Sequence, residues 1–207
     1  MIKIINYGLA NLRSVQKAFE AIGHDAEICS SPHELSSASH IVLPGVSAFE
    51  TAALNLSREG WDDALRENVG NKKKPLLGIC LGMQLLADVS LEHGEHKGLS
   101  MIPGRVQPLV DIAGKLPVPH VGWTEVEFRN PLMAKGINPG SSFYFVHSFY
   151  FLPKDEAHVA ATSKYNQLFC CAVNNGNIWA VQFHPEKSQK AGLALLKNFC
   201  SWDGSSI

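Results

Sequence analysis

The chain contains no long hydrophobic run and no strong excess of charge. Nowhere does it approach the roughly 20 consecutive apolar residues that a transmembrane helix needs. Its first apolar segment, residues 1–5, ends at Asn6-Tyr7-Gly8 and predicts a strand, not a signal peptide. The formal net charge is −1, so the sequence offers no electrostatic basis for binding nucleic acid or a membrane surface.

The cysteines are not spaced as metal ligands. The five are Cys29, Cys80, Cys170, Cys171 and Cys200, and they contain no paired zinc-binding spacing. We expect Cys170 and Cys171 to pack on opposite faces of a strand in a cytoplasmic protein. The segment Glu92-His93-Gly94-Glu95-His96 carries metal-binding atoms, but Gly94 argues against a helix that presents both histidines on one face. A solvated loop without a metal is therefore predicted there.

Hydrophobic patterns predict the fold class. In the first hundred residues, short apolar strands at 2–5, 26–29, 40–43 and 75–79 alternate with helical spacing, as in Leu12, Val15, Phe19 and Ile22. This order is typical of an α/β protein whose mostly parallel central sheet has helices on both faces. From about residue 100, strand candidates follow at 105–110, 124–128, 143–152, 157–162, 168–173 and 178–183. They predict an added β-rich section, followed by a final helix.

The 207 residues contain no linker, internal repeat or low-complexity tract, so we predict a single domain over 1–207. Residues 7–11 lack the glycines of a dinucleotide-binding loop, and no cofactor is expected.

A cysteine between two glycines carries the strongest functional signal. Cys80 follows an apolar strand and precedes the helix formers that begin at Met83, with Gly78 and Gly82 on either side. Such a strand-to-helix turn is strained, and the glycines remove Cβ atoms that would collide. The helix N-terminus favours a thiolate, and the Leu81 N–H is placed to hold an oxyanion. For this motif alone, a structural cysteine is an equal alternative.

The segment His184-Pro185-Glu186 supplies a base and a carboxylate. Pro185 favours an extended His184, so His184 and Glu186 are predicted to point the same way. The carboxylate can then orient the imidazole and stabilise the imidazolium. Together with Cys80, these residues form a predicted Cys-His-Glu triad for covalent acyl transfer.

Both motifs resemble those of the class I, triad-type glutamine amidotransferases. Residues 78–84 and 184–188 carry the resemblance, and within this family the chain is similar from end to end to the glutaminase subunits of imidazole glycerol phosphate synthase. The supporting segments are residues 6–15, 43–49, 102–104, 119–123 and 143–148. A flavodoxin-like class I amidotransferase fold is therefore expected.

The resemblance implies that L-glutamine forms a thioester with Cys80 and releases ammonia. The ammonia would pass to a (β/α)8-barrel cyclase subunit, the partner in a heterodimer. That partner would bind the phosphorylated ribulosyl substrate and make imidazole glycerol phosphate and aminoimidazole carboxamide ribotide, in histidine biosynthesis.

The same match implies roles for individual residues. Gln84 would contact glutamine, as would the backbone of Ser148 and Phe149, and the Gly45-Val46 peptide would complete the oxyanion hole after a local rearrangement. Residues expected near the partner face, where they would couple partner ligation to glutaminase activity, are Asn11, Trp123, Tyr144 and Lys187. His147, in an aromatic strand, is expected to be a structural histidine.

Four positions depart from the usual family pattern. Asn6 replaces a common aspartate, Ala10 and Ser47 replace glycines, and Thr124 replaces an asparagine. Ser47 has the largest expected consequence, because a non-glycine residue resists positive φ beside the loop that must rearrange. These departures leave open the alternative that the chain is a paralogue that feeds ammonia to a related barrel enzyme of surface-sugar biosynthesis. A stand-alone cysteine hydrolase or peptidase and a non-catalytic regulatory module are further alternatives.

Overall fold

The computed structural model describes residues 1–205, which form a nine-stranded sheet and a smaller four-stranded sheet. The strands are β1 (Ile2–Ile5), β2 (Ala26–Cys29), β3 (His40–Gly45), β4 (Leu76–Cys80), β5 (Val89–Ser90), β6 (His96–Lys97), β7 (Gly104–Pro108), β8 (His120–Phe128), β9 (Ser142–His147), β10 (Phe149–Pro153), β11 (Val159–Tyr165), β12 (Gln167–Asn175) and β13 (Ile178–Val181). The large sheet has the order β2-β1-β3-β4-β13-β12-β11-β8-β9, and the small one β10-β7-β5-β6.

The large sheet has a parallel part and an antiparallel part. Strands β2, β1, β3, β4 and β13 are parallel to one another. From β13 to β9 every neighbouring pair is antiparallel. This arrangement confirms the predicted α/β class with an added β-rich section.

The helices are α1 (Leu12–Ala21), α2 (Phe49–Arg58), α3 (Trp61–Leu65), α4 (Leu81–Leu85), α5 (Val110–Ala113), α6 (Pro131–Ala134) and α7 (Gln189–Ser201). On the parallel part of the sheet, α1 and α7 cover one face, and α2 and α3 cover the other. Successive strand residues point to opposite faces, so the core divides into two clusters. Val42 belongs to the cluster that includes Phe19 of α1 and Phe199 of α7. Ile41 belongs to the cluster that includes Phe49 of α2 and Trp61 of α3.

Several strand predictions differ from the structure in their bounds: β8 begins at His120, before the predicted 124, and β11 spans Val159–Tyr165 instead of the predicted 157–162. The strand predicted over 143–152 is two strands, β9 and β10, which separate at Ser148 and belong to different sheets. Apolar residues continue through this break, so the sequence pattern conceals it. The strand predicted over 105–110 ends at Pro108, and Val110 begins α5; the one predicted over 178–183 ends at Val181.

The topology gathers the predicted site residues at one edge of the sheet. Gly45 and Cys80 are register partners at the carboxyl ends of β3 and β4, and β13 ends beside them, three residues before His184. Ligands of open α/β sheets bind outside these carboxyl ends. Within residues 1–205, no helix combines the length and apolar character required to cross a bilayer.

Candidate active site

Cys80 lies at the junction of β4 and α4 in a strained backbone conformation. Its φ is +55° and its ψ is −112°, which an L-residue rarely adopts and which costs on the order of 1–3 kcal/mol. Gly82 packs against the Leu43 carbonyl so closely that a Cβ there would overlap it. A Cβ on Gly78 would lie 3.0 Å from the Gly82 carbonyl oxygen. The flanking glycines therefore permit the turn, as the sequence predicted.

His184 is bonded to Glu186. Its Nδ1 lies 2.7 Å from the Glu186 Oε1, and both side chains are buried. His184 is extended, as predicted, with φ −99° and ψ 95°. The segment does not stay extended, however, because Pro185–Lys187 forms a 3-10 turn. The carboxylate reaches the imidazole across this turn, not along a strand.

The other imidazole nitrogen faces the thiol. His184 Nε2 is buried and hydrogen-bonds to nothing within residues 1–205, and His184 and Cys80 line the same crevice. Burial lowers the pKa of His184, but the Cys80 thiolate and the Glu186 carboxylate outweigh it and raise that pKa to about 10. The arrangement therefore favours a protonated His184 beside Cys80, where the imidazolium can pair with the thiolate form that acts as a nucleophile.

Ser188 fixes the backbone of His184 to β9. The His184 N–H donates to the Tyr144 carbonyl at 2.9 Å. The Ser188 hydroxyl donates to the His184 carbonyl at 2.6 Å and accepts the Tyr144 N–H at 3.0 Å. Sequence reasoning gave Ser188 no role, although it closes the 184–188 motif.

The crevice beside the thiol has a volume of about 260 Å³. It brings together most of the residues predicted to be catalytic, oxyanion-binding or substrate-binding: Cys80, His184, Leu81, Val46, Gln84, Ser148 and Phe149. Glu186 lies behind His184, and Gly45 precedes Val46 in the chain. A site of this size suits a small molecule such as an amino acid.

Two glutamines connect the thiol to the crevice wall. The Gln84 Nε2 donates to the Phe149 carbonyl at 3.0 Å and to the Gln182 Oε1 at 2.9 Å. Gln182 is fully buried, and its Nε2 lies 3.8 Å from the Cys80 sulfur. A donor at that position stabilises a thiolate. Sequence reasoning missed Gln182, whose one signal was a polar residue within an apolar strand.

The two predicted oxyanion donors differ in whether the N–H group already has a hydrogen-bond acceptor. The Leu81 N–H is in the first turn of α4, where a helix has no internal acceptor for it. The Val46 N–H, by contrast, donates to the Leu9 carbonyl at 3.0 Å. Gly45 leaves no room for a Cβ, which would lie 2.9 Å from the Leu81 Cβ. The oxyanion loop is therefore closely packed but has one donor occupied.

Three of the four residues predicted near the partner form one cluster. Trp123 and Tyr144 are register partners on β8 and β9 with ring centroids 6.0 Å apart, and the Lys187 Nζ lies 5.5 Å from the Tyr144 ring centroid. Trp123 is 48% exposed, and the neighbouring Val121 is 57% exposed. Asn11 makes no side-chain hydrogen bond to this cluster in the part of the chain that the structure describes; it precedes α1, which packs against the 185–187 turn.

Glu92 corrects the prediction of a solvated loop at residues 92–96. Its Oε2 accepts the Phe49 N–H at 2.7 Å, at the N-terminus of α2, and its side chain lines the crevice. A carboxylate there is stabilised by the helix dipole. His93, Gly94 and Glu95 are exposed, as predicted. Across residues 1–205, no three His, Cys, Asp or Glu side chains gather to hold a metal ion.

Comparison with known proteins places the chain in a family. The family model "Glutamine amidotransferase class-I" matches residues 3–201. The chain is 46% identical over 204 residues to the imidazole glycerol phosphate synthase subunit HisH of Syntrophotalea carbinolica, covering 96% of this chain and 98% of that protein. It is 47% identical to the same subunit of Moorella thermoacetica, covering 96% and 93%.

Solved structures share the fold. A glutamine amidotransferase crystal structure superposes with a TM-score of 0.78 at 18% identity, covering 99% of this chain and 100% of that one. The PurLQS structure from Thermotoga maritima gives a TM-score of 0.73 at 17% identity, covering 97% of each chain. The chain therefore belongs to the class-I glutamine amidotransferase family and, within it, to the HisH subunits of imidazole glycerol phosphate synthase.

Proposed function

We propose that this chain is the glutaminase subunit of an imidazole glycerol phosphate synthase, which hydrolyses L-glutamine and delivers ammonia to a cyclase subunit. The observation that carries the proposal is the position of Cys80. It stands on a strained turn in the same crevice as His184, whose opposite nitrogen is bonded to Glu186.

The geometry supports a two-step mechanism. The Cys80 thiolate attacks the carboxamide carbon of glutamine, while the Leu81 N–H and a reoriented Val46 N–H hold the oxyanion. The His184 imidazolium protonates the departing nitrogen, so ammonia leaves and a thioester remains. Neutral His184 then takes a proton from water, which attacks the thioester. Glutamate leaves, and the thiolate and imidazolium are restored.

The same geometry supports control by a partner. With its N–H bonded to Leu9, Val46 leaves the oxyanion hole incomplete in the isolated chain. The exposed cluster of Trp123, Tyr144 and Lys187 adjoins His184, since Tyr144 accepts the His184 N–H. A cyclase subunit docked on this cluster would lie next to the catalytic groups and receive ammonia without its escape to solvent.

Genetic complementation tests which enzyme receives the ammonia. The gene should restore growth without histidine to a bacterial auxotroph that lacks its own glutaminase subunit, and a Cys80→Ala variant expressed at the same level should not. Failure of the soluble unsubstituted protein would contradict the proposal. Growth supported by both proteins would contradict the role of Cys80. The surface-sugar alternative has no support beyond the substitutions at Asn6, Ala10 and Ser47.

A further inference from the structure

A chain of hydrogen bonds runs behind the crevice through two buried histidines. The His147 Nδ1 lies 2.8 Å from the Phe149 carbonyl oxygen, and its Nε2 lies 3.0 Å from the His120 Nδ1. The His120 Nε2 in turn lies 2.8 Å from the Thr124 hydroxyl. His120 and His147 are 2% and 6% exposed. All four ring nitrogens therefore have partners, as expected of structural histidines.

Elementary chemistry assigns the protons when both rings are neutral. A carbonyl oxygen only accepts, so the His147 Nδ1 carries hydrogen and its Nε2 accepts. The His120 Nδ1 must then donate to that Nε2, which leaves the His120 Nε2 to accept from the Thr124 hydroxyl. The arrangement has one solution, and it places hydrogen on Nδ1 of both rings.

The surroundings hold both rings neutral. His120 is stacked between Phe145 and Tyr165, with ring centroids at 5.0 and 4.0 Å, and the His147 ring lies 5.4 Å from Phe169. Burial in this aromatic environment lowers the pKa of His120 to about 4 and that of His147 to about 3. At neutral pH the donor to Phe149 is therefore an uncharged N–H.

The Phe149 carbonyl needs this donor because no strand supplies one. β10 is the edge strand of the small sheet. The Ser148 carbonyl accepts the Leu109 N–H at 2.9 Å. Along an antiparallel pair of strands, successive carbonyl groups point alternately toward and away from the partner strand. The Phe149 carbonyl, which comes next, therefore points away from β7. It is bonded instead by His147 and Gln84. The bend at Ser148 thus depends on side chains for its orientation.

We propose that His120 and His147 are positioning residues for glutamine binding: in their single neutral tautomer arrangement they fix the Phe149 carbonyl, and with it the Ser148–Phe149 backbone that lines the crevice. The inference rests on the proposed function, because it takes glutamine as the ligand of that backbone. It gives His147 a role in substrate affinity, not in the chemical step.

Two matched variants test the proposal in the complex with the cyclase subunit. In His147→Asn, the amide nitrogen occupies the position of Nδ1 and can still donate to Phe149. In His147→Gln, it reaches the position of Nε2, and the bond to Phe149 is lost. We expect His147→Gln to raise the glutamine KM about tenfold, as for one lost hydrogen bond, with kcat changed less than about threefold. His147→Asn should keep KM within about twofold.

Further readouts separate positioning from a loss of folding. Alkylation of Cys80 by iodoacetamide, which needs no hydrogen bond to the Ser148–Phe149 backbone, should proceed at equal rates in both variants. Equal KM changes in the two variants, or none in His147→Gln, would overturn the proposal. Nitrogen-15 NMR of the unsubstituted protein needs no variant and should find hydrogen on Nδ1 of both rings; hydrogen on Nε2 of His147 would also overturn it. Absence of glutaminase activity in the unsubstituted complex would instead contradict the proposed function.

Discussion

The Val46 backbone N–H donates to the Leu9 carbonyl at 3.0 Å. This bond joins the loop before α1, which contains Asn11, to the loop that we propose supplies an oxyanion donor. In the proposed mechanism the bond must break, since one N–H cannot serve both acceptors. The bond therefore predicts weak glutaminase activity in the absence of a partner.

Ser47→Gly should raise the basal glutaminase rate of the isolated chain. Rearrangement of the loop that contains Val46 is expected to require positive φ at the adjoining residue 47, which costs a non-glycine residue about 1 kcal/mol. Removing that cost should increase the rate roughly fivefold, measured as glutamate released without the cyclase subunit. Ser57→Gly in α2 serves as a control for a glycine substitution elsewhere. An unchanged basal rate in Ser47→Gly would exclude residue 47 as part of the barrier.

The pH dependence of glutamine hydrolysis should depend on Glu186. The pKa of His184 is raised to about 10, since the Cys80 thiolate and Glu186 outweigh the effect of burial. Hydrolysis in the complex should therefore decline as pH rises through about 10, where the imidazolium is lost. Glu186→Gln removes a stabilising charge, so the decline should move to lower pH by at least about one unit. Glu50→Gln, on the exposed side of α2, is the control and should leave the pH of the decline unchanged. An unchanged pH of decline in Glu186→Gln would contradict the role of Glu186 in raising the pKa of His184.

Stability should fall in mild acid because of the two buried histidines. Their pKa values, about 4 for His120 and about 3 for His147, lie below the value of 6.5 expected when unfolded. Below pH 6.5 the unfolded chain therefore binds protons that the folded chain does not, and stability decreases. Between pH 7.5 and 5 these two rings should contribute a loss of roughly 2 kcal/mol each, which the raised pKa of His184 offsets in part, as measured by urea unfolding. His147→Asn should show a smaller loss over that interval, and an equal loss would contradict the assignment.

Trp123→Ala should weaken binding of the cyclase subunit. Trp123 is 48% exposed and packs on Tyr144, and large aromatic residues of this kind are frequent hot spots of interfaces. We expect the Kd to rise by a factor of about 30, corresponding to roughly 2 kcal/mol. Isothermal titration calorimetry measures the change. Leu54→Ala, at an equally exposed apolar position of α2, is the control; similar losses in both variants would argue against an interface centred on Trp123.

Local patterns in the sequence were sufficient to predict the parallel part of the sheet and the strand-to-helix turn at Cys80. Short apolar strands alternating with helical spacing predict a mostly parallel sheet that contains β1, β3 and β4, and Gly78 and Gly82 mark the strained turn at Cys80. The interaction of His184 with Glu186 was likewise expected from their spacing, although the backbone between them is a 3-10 turn.

Features that depend on contacts distant in sequence were not predicted. The switch between sheets at Ser148 has no local signal, because apolar residues lie on both sides of it. Gln182 approaches Cys80 across 102 residues, and Glu92 reaches Phe49 across 43. A polar residue in an apolar strand indicates that a partner exists, but only the folded arrangement identifies that partner.

The central claim is that Cys80 is required to use glutamine and not to use ammonia. The most direct measurement compares the two nitrogen sources in a complex of the Cys80→Ala variant with the cyclase subunit. Imidazole glycerol phosphate formation from glutamine should be abolished, while formation from added ammonium salt should continue at the rate of the unsubstituted complex. Retained glutamine-dependent formation would contradict the account, as would loss of the ammonia-dependent reaction in an intact complex.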